Sequence, residues 1–262
     1  MGKDTFDVLI LIGRPASGKS EIIDFLSHTS PESRQGRFHI ADLQILDDFP
    51  MLWTWFEEDR ILSERLGQPR LHTGADGTFR YPYLWHLLIE RISLEYAKLV
   101  RHQNESLRFP SYWNGPLEGM VRDEPELHEH VTTIVEFSRG SEHGGYEAAF
   151  AHLSEDLLRR AAVVYVHVSF EESLRKNRRR FNPERPDSIL EHALSDEKLA
   201  QLYRDDDWAA YSAGDPNFLT VRSICVPYVV FENEDDVTTG KPDELAVRLE
   251  DVLGRLWSLA AG

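Results

Sequence analysis

Residues 13–20, Gly13-Arg14-Pro15-Ala16-Ser17-Gly18-Lys19-Ser20 (GRPASGKS), follow the run Val8–Ile12 and lead into EIIDFLSH at 21–28. They fit GxxxxGK[ST]. In that pattern the glycines permit a tight turn, the backbone amides form a concavity for phosphate oxygens, and the following helix points its positive end at them. Val8–Ile12 is aliphatic throughout, as expected of a central parallel strand covered on both faces, and helix-like sequence begins near Lys19. Strand, loop and helix are the context the motif needs. The stretch therefore reads as a triphosphate-binding loop, with Gly13, Ala16, Ser17, Gly18, Lys19, Ser20 and Glu21 as candidate contacts. Lys19 is expected to reach the β- and γ-phosphates and Ser20 to ligate Mg²⁺.

Outward from the loop, composition narrows the partners. Across 262 residues, 41% hydrophobic and 28% charged, there is enough apolar side chain for a sizeable core in one α/β domain. The 29 Lys and Arg against 45 Asp and Glu give a formal net charge of -16, which repels polyanions, so no nucleic-acid partner and no anionic membrane surface are expected. A single cysteine, Cys225, leaves no internal disulfide and no Cys/His zinc spacing, and a cytoplasmic location is expected. The first apolar run is too short to span a membrane.

Four further strands are expected at 37–41 (RFHIA), 131–135 (VTTIV), 163–168 (VVYVHV) and 226–231 (VPYVVF), with helical sequence between them and a closing amphipathic helix near 243–257. Alternation of strand and helix predicts a three-layer, doubly wound, five-stranded parallel α/β sheet whose ligands sit at the carboxyl ends of the strands. The chain is expected to form one domain over 1–262, with a helical insertion at 43–130 after strand two. That insertion holds twelve of the 28 aromatic residues, among them Trp53, Trp55, Trp85 and Trp113, and its flat side chains suit an acceptor with an apolar portion, although aromatics more often build core.

Phosphoryl transfer requires a metal clamp, positive charge on the transferring group and an oriented nucleophile. In IVEFSRG, Ile134–Gly140, Glu136 ends a strand and is a candidate Mg²⁺ ligand or orienting base, with Arg139 a candidate phosphate contact; a strand-end ion pair is the alternative. Gly140, Gly144 and Gly145 then suggest a mobile loop. In SLRKNRRRFNPERP, 173–186, six cations fall within eleven residues, and helical spacing groups Arg175 with Arg178 and Arg179. Guanidinium forks suit the spread charge of a phosphoryl group, which makes Arg179 and Arg185 candidates; a solvated basic face is the alternative. Asp42 directly follows the expected second strand, ahead of Asp47 and Asp48, and is a candidate to take a proton from an acceptor hydroxyl.

Taken together, GRPASGKS, the carboxylate after strand two, IVEFSRG, VVYVHVSFEESL with its Arg-rich sequel and VPYVVFEN resemble the nucleoside and nucleotide kinase (adenylate kinase-like) branch of P-loop proteins. The resemblance implies a lid over about 175–200 whose Arg175, Arg179 and Arg185 close over the phosphates, and an acceptor-binding insertion after strand two. NEDD at 233–236 lacks the Lys of the guanine signature Asn-Lys-x-Asp, which counts against a switch GTPase. The expectation is an ATP- and Mg²⁺-dependent kinase of a small molecule, with Asp42 or Glu136 near the acceptor. An ATPase or regulatory NTP-binding protein is the competing class.

Overall fold

β1 (Val8–Gly13) is buried at every position, and its two faces feed two separate cores. Val8, Ile10 and Ile12 pack with Ile89, Tyr146 and Phe150, whereas Leu9 and Leu11 pack with Ile22, Leu26, Phe38 and Leu253. Alternation along one strand thus sets three layers, each buried aliphatic side chain contributing about 1.5–3 kcal/mol. The computed structural model describes residues 4–74, 77–104, 131–180 and 194–261. From β1 the chain runs through α1 (Lys19–His28) and α2 (Pro31–Phe38) to β2 (Asp42–Asp47), then through α3 (Phe49–Arg60) and α4 (Tyr83–Asn104) to β3 (Val131–Phe137). Next come α5 (Gly145–Ala151), α6 (Glu155–Leu158) and β4 (Ala161–His167), followed by α7 (Phe170–Arg180), α8 (Asp196–Tyr203) and α9 (Trp208–Tyr211). The hairpin β5 (Phe218–Val221) and β6 (Ile224–Glu232) leads into α10 (Pro242–Ala260).

The sheet order is β2-β3-β1-β4-β6-β5, parallel except for β5, which pairs antiparallel with β6. β1 lies between halves that the chain builds at different times, so its carboxyl end opens on the switch point where α/β sheets bind ligands. Residues of α1, α2 and α10 cover one face, and residues of α4, α5, α6 and α9 the other. Among the described residues no helix is long and apolar enough to cross a membrane.

Two strand expectations need correction. The sheet has six strands, because Phe218–Val221 adds a four-residue antiparallel edge that is too short to show a pattern. The second strand lies at 42–47 and not at 37–41. Ser30 caps α2 with its side chain accepting from Ser33, which carries RF into the helix, and His39 turns the chain at φ 56°. β2 is half-buried at all six positions, as an edge strand is, and so lacks a continuous apolar run.

Beyond β2 the insertion begins with α3 and a π-helical turn, Ile61–Arg65. Asp59, fully buried, accepts hydrogen bonds from the backbone N–H of Leu71 (2.7 Å), His72 (2.9 Å) and Thr73 (2.6 Å) and from the Thr73 hydroxyl (2.7 Å). A bridge between Thr73 and Phe79 closes this turn against α3. Burial raises the Asp59 pKa, but the hydrogen bonds outweigh it and hold the carboxyl below its ordinary value. Its folded value is below its unfolded one, so its stabilisation is present above about pH 4 and is lost as pH falls through the folded value. Asp59→Asn is expected to cost about 1–3 kcal/mol of stability near neutrality. Urea unfolding of both proteins should show that gap shrinking in acid; a gap that is constant with pH would contradict the ionised clamp.

Candidate functional site

β1 delivers its carboxyl end into a loop that only glycine can follow at two points. Gly13 has φ 153°, and a Cβ there would meet the carbonyl of Val166 on β4. Gly18 has φ 113°, and its Cβ would lie 2.5 Å from Asn233 Nδ2 and 2.7 Å from Thr238 Oγ1. The crowding comes from a brace beyond β6, where Asn233 Nδ2 donates to the Ser17 carbonyl (2.7 Å) and to Thr238 Oγ1 (2.8 Å). Lys176 of α7 extends it, donating to Thr238 Oγ1 (3.1 Å) and pairing with Asp236 (2.7 Å). Gly18 caps α1 without a side-chain hydrogen bond, which leaves the first-turn amides and the positive helix end facing the crevice.

Lys19, 4% exposed, donates to the carbonyls of Gly13 (3.2 Å) and Arg14 (3.0 Å) and to Ser138 Oγ (2.9 Å), with Glu136 at 3.9 Å. Burial lowers its pKa, and Glu136 opposes that shift. Ser20 Oγ donates to Glu136 Oε1 at 3.3 Å. Burial raises the pKa of Glu136, with Lys19 and Ser20 acting against it. A cavity of about 870 Å³ lies over the loop, and Lys19, Ser20, Asp47, Glu136, Arg139 and Arg180 all line it.

Asp42 is not among them. It stands at the amino end of β2, paired with Arg34 at 3.0 Å, because the strand starts where the sequence reading ended it. In a parallel sheet only the carboxyl ends face the loop, and there β2 places Asp47, in register with Glu136. Burial, then Asp48 and Glu136, push the Asp47 carboxyl up to about 7.

Arg139 lines the cavity but is committed elsewhere. Its buried guanidinium donates to Asp48 (2.6 Å), to the Ser138 carbonyl (2.6 Å) and to the Trp85 carbonyl (3.3 Å). It ties the end of β3 to the insertion, so the ion-pair alternative holds with Asp48 as partner in place of Glu136.

On α7 the two faces separate the arginines. Ser173, Lys176 and Asn177 are buried, and one turn on from Lys176 the same face carries Arg180, which donates to both Glu21 oxygens (2.7 and 2.9 Å). Arg175 and Arg179 face outward to Asp236 at 2.9 and 3.1 Å, both about half exposed. Exposed pairs of this kind are screened by water and add little stability. Neither reaches the cavity, while Arg180, which the helical grouping passed over, does. Arg185 and Trp113 lie outside the described residues.

The glycines after β3 serve close packing. A Cβ on Gly140 would meet the Leu202 carbonyl of α8, and Asp207 caps α5 by accepting from the N–H of Tyr146 (2.6 Å) and Glu147 (3.0 Å). From the sequence, Asp47 was passed over in favour of Asp42, Arg180 was counted in the basic run but given no role, and Asp59 and His143 were given none. Only Asp47 carried a local signal, as the first carboxylate after LQIL.

No family model matches the chain, and no curated protein matches it. Among solved structures, shikimate kinase from Acinetobacter baumannii in complex with shikimate is similar over 96% of each chain, at 13% identity and a TM-score of 0.39. The mostly parallel α/β fold, with a GxxxxGK[ST] loop between its central strand and α1, stands on strand order and loop geometry.

Gly18→Ala is expected to lower stability by about 1–3 kcal/mol through the left-handed backbone and the displaced Asn233 amide. A denaturant midpoint equal to that of the wild type would show that the brace gives way freely.

Proposed function

We propose that the protein is a kinase transferring the γ-phosphoryl group of Mg·ATP to a small molecule. The observation that carries the reading is convergence: Lys19, Ser20, Glu136 and Asp47 meet in one cavity at the carboxyl ends of β1, β3 and β2. The residues present fit the nucleotide. Gly13 and Gly18 keep the loop clear of side chains, and the open start of α1 suits phosphate oxygens. Among the described residues no three His, Cys, Asp or Glu could hold a metal by themselves. That suits Mg²⁺, which keeps several waters and takes one or two protein ligands beside phosphate; Ser20 and Glu136 are those ligands. Bound Mg·ATP supplies the phosphoryl group and the charge that offsets it.

The chain's own groups divide the remaining work. Lys19 brings a desolvated cation to the mouth of the loop, where water screens it little. Asp47, in the role assigned from sequence to Asp42, takes the proton that an acceptor hydroxyl loses; its raised pKa makes it a better base than an exposed carboxylate. Arg180 replaces Arg175 and Arg179 as the lid cation directed at the phosphates, and Glu21 holds it at the loop. A cytoplasmic setting and a single small-molecule acceptor accord with the charge and cysteine content.

The test is ADP release from Mg·ATP by purified protein, with and without a panel of nucleosides, nucleotides, sugars and aminoglycosides. Acceptor-stimulated release that is absent in Lys19→Ala is expected. Release independent of acceptor would replace the kinase reading with an ATPase. With an acceptor in hand, Asp47→Asn is expected to lower kcat about 10²- to 10⁴-fold while leaving ATP affinity within about twofold; an unchanged kcat would remove Asp47 as the base. Arg180→Ala should lower kcat about tenfold or more, whereas Arg179→Ala should not.

A further inference from the structure

A second cavity of about 950 Å³ adjoins the first, and Phe49, Leu52, Trp85, Leu194 and Tyr203 line both. Its walls come from α3, from the turn that Asp59 clamps, and from α8. Trp53, Phe56 and Phe79 give it flat apolar surface. A molecule bound there lies against side chains that also line the phosphate-loop cavity.

The polar groups of this cavity are distinctive for so acidic a chain. Arg60, Arg70 and Lys198 line it, against two carboxylates, Glu57 and Glu142. Lys198 donates to the Gly77 carbonyl (3.2 Å) and Arg70 to Thr73 Oγ1 (3.3 Å), so both are positioned on the clamped turn by neutral partners. Among the described residues none of the three cations is paired with a carboxylate. Arg60 is exposed, whereas Arg70 and Lys198 are half-buried in a cavity that aromatic side chains also line, and half-buried cations without a carboxylate partner are placed to receive an anion.

The fourth group is His143, 3% exposed and lining the same cavity. Its ring stacks on Trp85 at 3.7 Å, its Nδ1 accepts from the Gly140 N–H at 3.2 Å, and its Nε2 has no hydrogen-bond partner among the described residues. That hydrogen bond assigns the proton to Nε2. Burial, with Arg139 nearby, lowers the ring pKa to about 3, so the imidazole is neutral. A buried N–H donor left unmade is costly, and an acceptor atom on a ligand would satisfy it.

We infer that this second cavity is the acceptor site and that the acceptor is a flat molecule carrying an anionic group, held between the aromatic walls and the cations Arg70 and Lys198, with His143 Nε2–H donating to it. The inference rests on the kinase reading for the word acceptor, but not for the binding. A carboxylate and a phosphate ester share the required chemistry.

The experiment is calorimetric titration of the full chain, as wild type and as Lys19→Ala, with two matched pairs: AMP against adenosine, and a hydroxybenzoate against the corresponding hydroxybenzyl alcohol. In at least one pair the anion should bind about tenfold or more tightly than its neutral partner, equally in wild type and Lys19→Ala. The pair that responds separates phosphate from carboxylate. Arg70→Gln and Lys198→Gln should each weaken that binding about tenfold. Arg70→Lys should keep part of it, with all variants melting as the wild type does. Neutral partners binding as well as the anions, unchanged affinity in both Gln variants, or no binding by either anion would overturn the proposal. Anion binding that survives in a protein showing no acceptor-stimulated ADP release would instead remove the kinase reading and leave the cavity assigned. Stimulated release without dependence on Arg70 or Lys198 would do the reverse.

Discussion

Lys19 is a cation held out of water at the end of a sheet, and the elements around it make that tolerable. An unpaired buried charge costs several kcal/mol, about what one domain has to spare. Two loop carbonyls, Ser138 and the nearby Glu136 surround its ammonium group. The same crevice holds Asp47, Asp48 and Glu136, and Arg139 takes Asp48 for itself. Burial first, with Asp48 adding like charge at both groups, outweighs Lys19 and leaves the Asp47 and Glu136 pKa values raised.

Rigidity at the loop comes from outside it. The Asn233 amide fixes the Ser17 carbonyl, Thr238 joins that amide to Lys176, and Asp236 gathers Lys176, Arg175 and Arg179. The arginine cluster that looked like a catalytic lid is therefore, in its described part, the outer fastening of α7 to the segment after β6. One face over, the Arg180–Glu21 pair links the same helix to the start of α1. Both contacts join the sixth strand's sequel, α7 and the loop after β1 into one brace.

Across the crevice, the insertion has a small apolar cluster of its own around Trp55, Leu84 and Leu88, and buried polar contacts tie it on as well. Asp59 folds the turn at 71–73 onto α3, and Arg139 reaches from β3 to the backbone of Trp85. Trp85 stands between that guanidinium and the His143 ring and belongs to the lining of both cavities. The two cavities thus share one aromatic wall.

By itself the sequence determined the glycine-spaced loop, the central strand before it and the helical layers. Those features are set locally: glycine spacing, a run of aliphatics and helical periodicity leave a mark wherever they occur. Tertiary structure alone decided which charged residues face the loop and its cavity. Asp47 displaced Asp42 because β2 is a half-buried edge strand whose limits carry no apolar signature. Arg180 displaced Arg175 and Arg179 because the inward face of α7 is chosen by packing against the loop, and the spacing of the arginines is silent about it. His143 and Asp59 acquire their roles from partners far off in the chain or from burial that no neighbouring residue announces. Charge and proton affinity depend on what surrounds a group in space, and that is fixed only once the chain has closed.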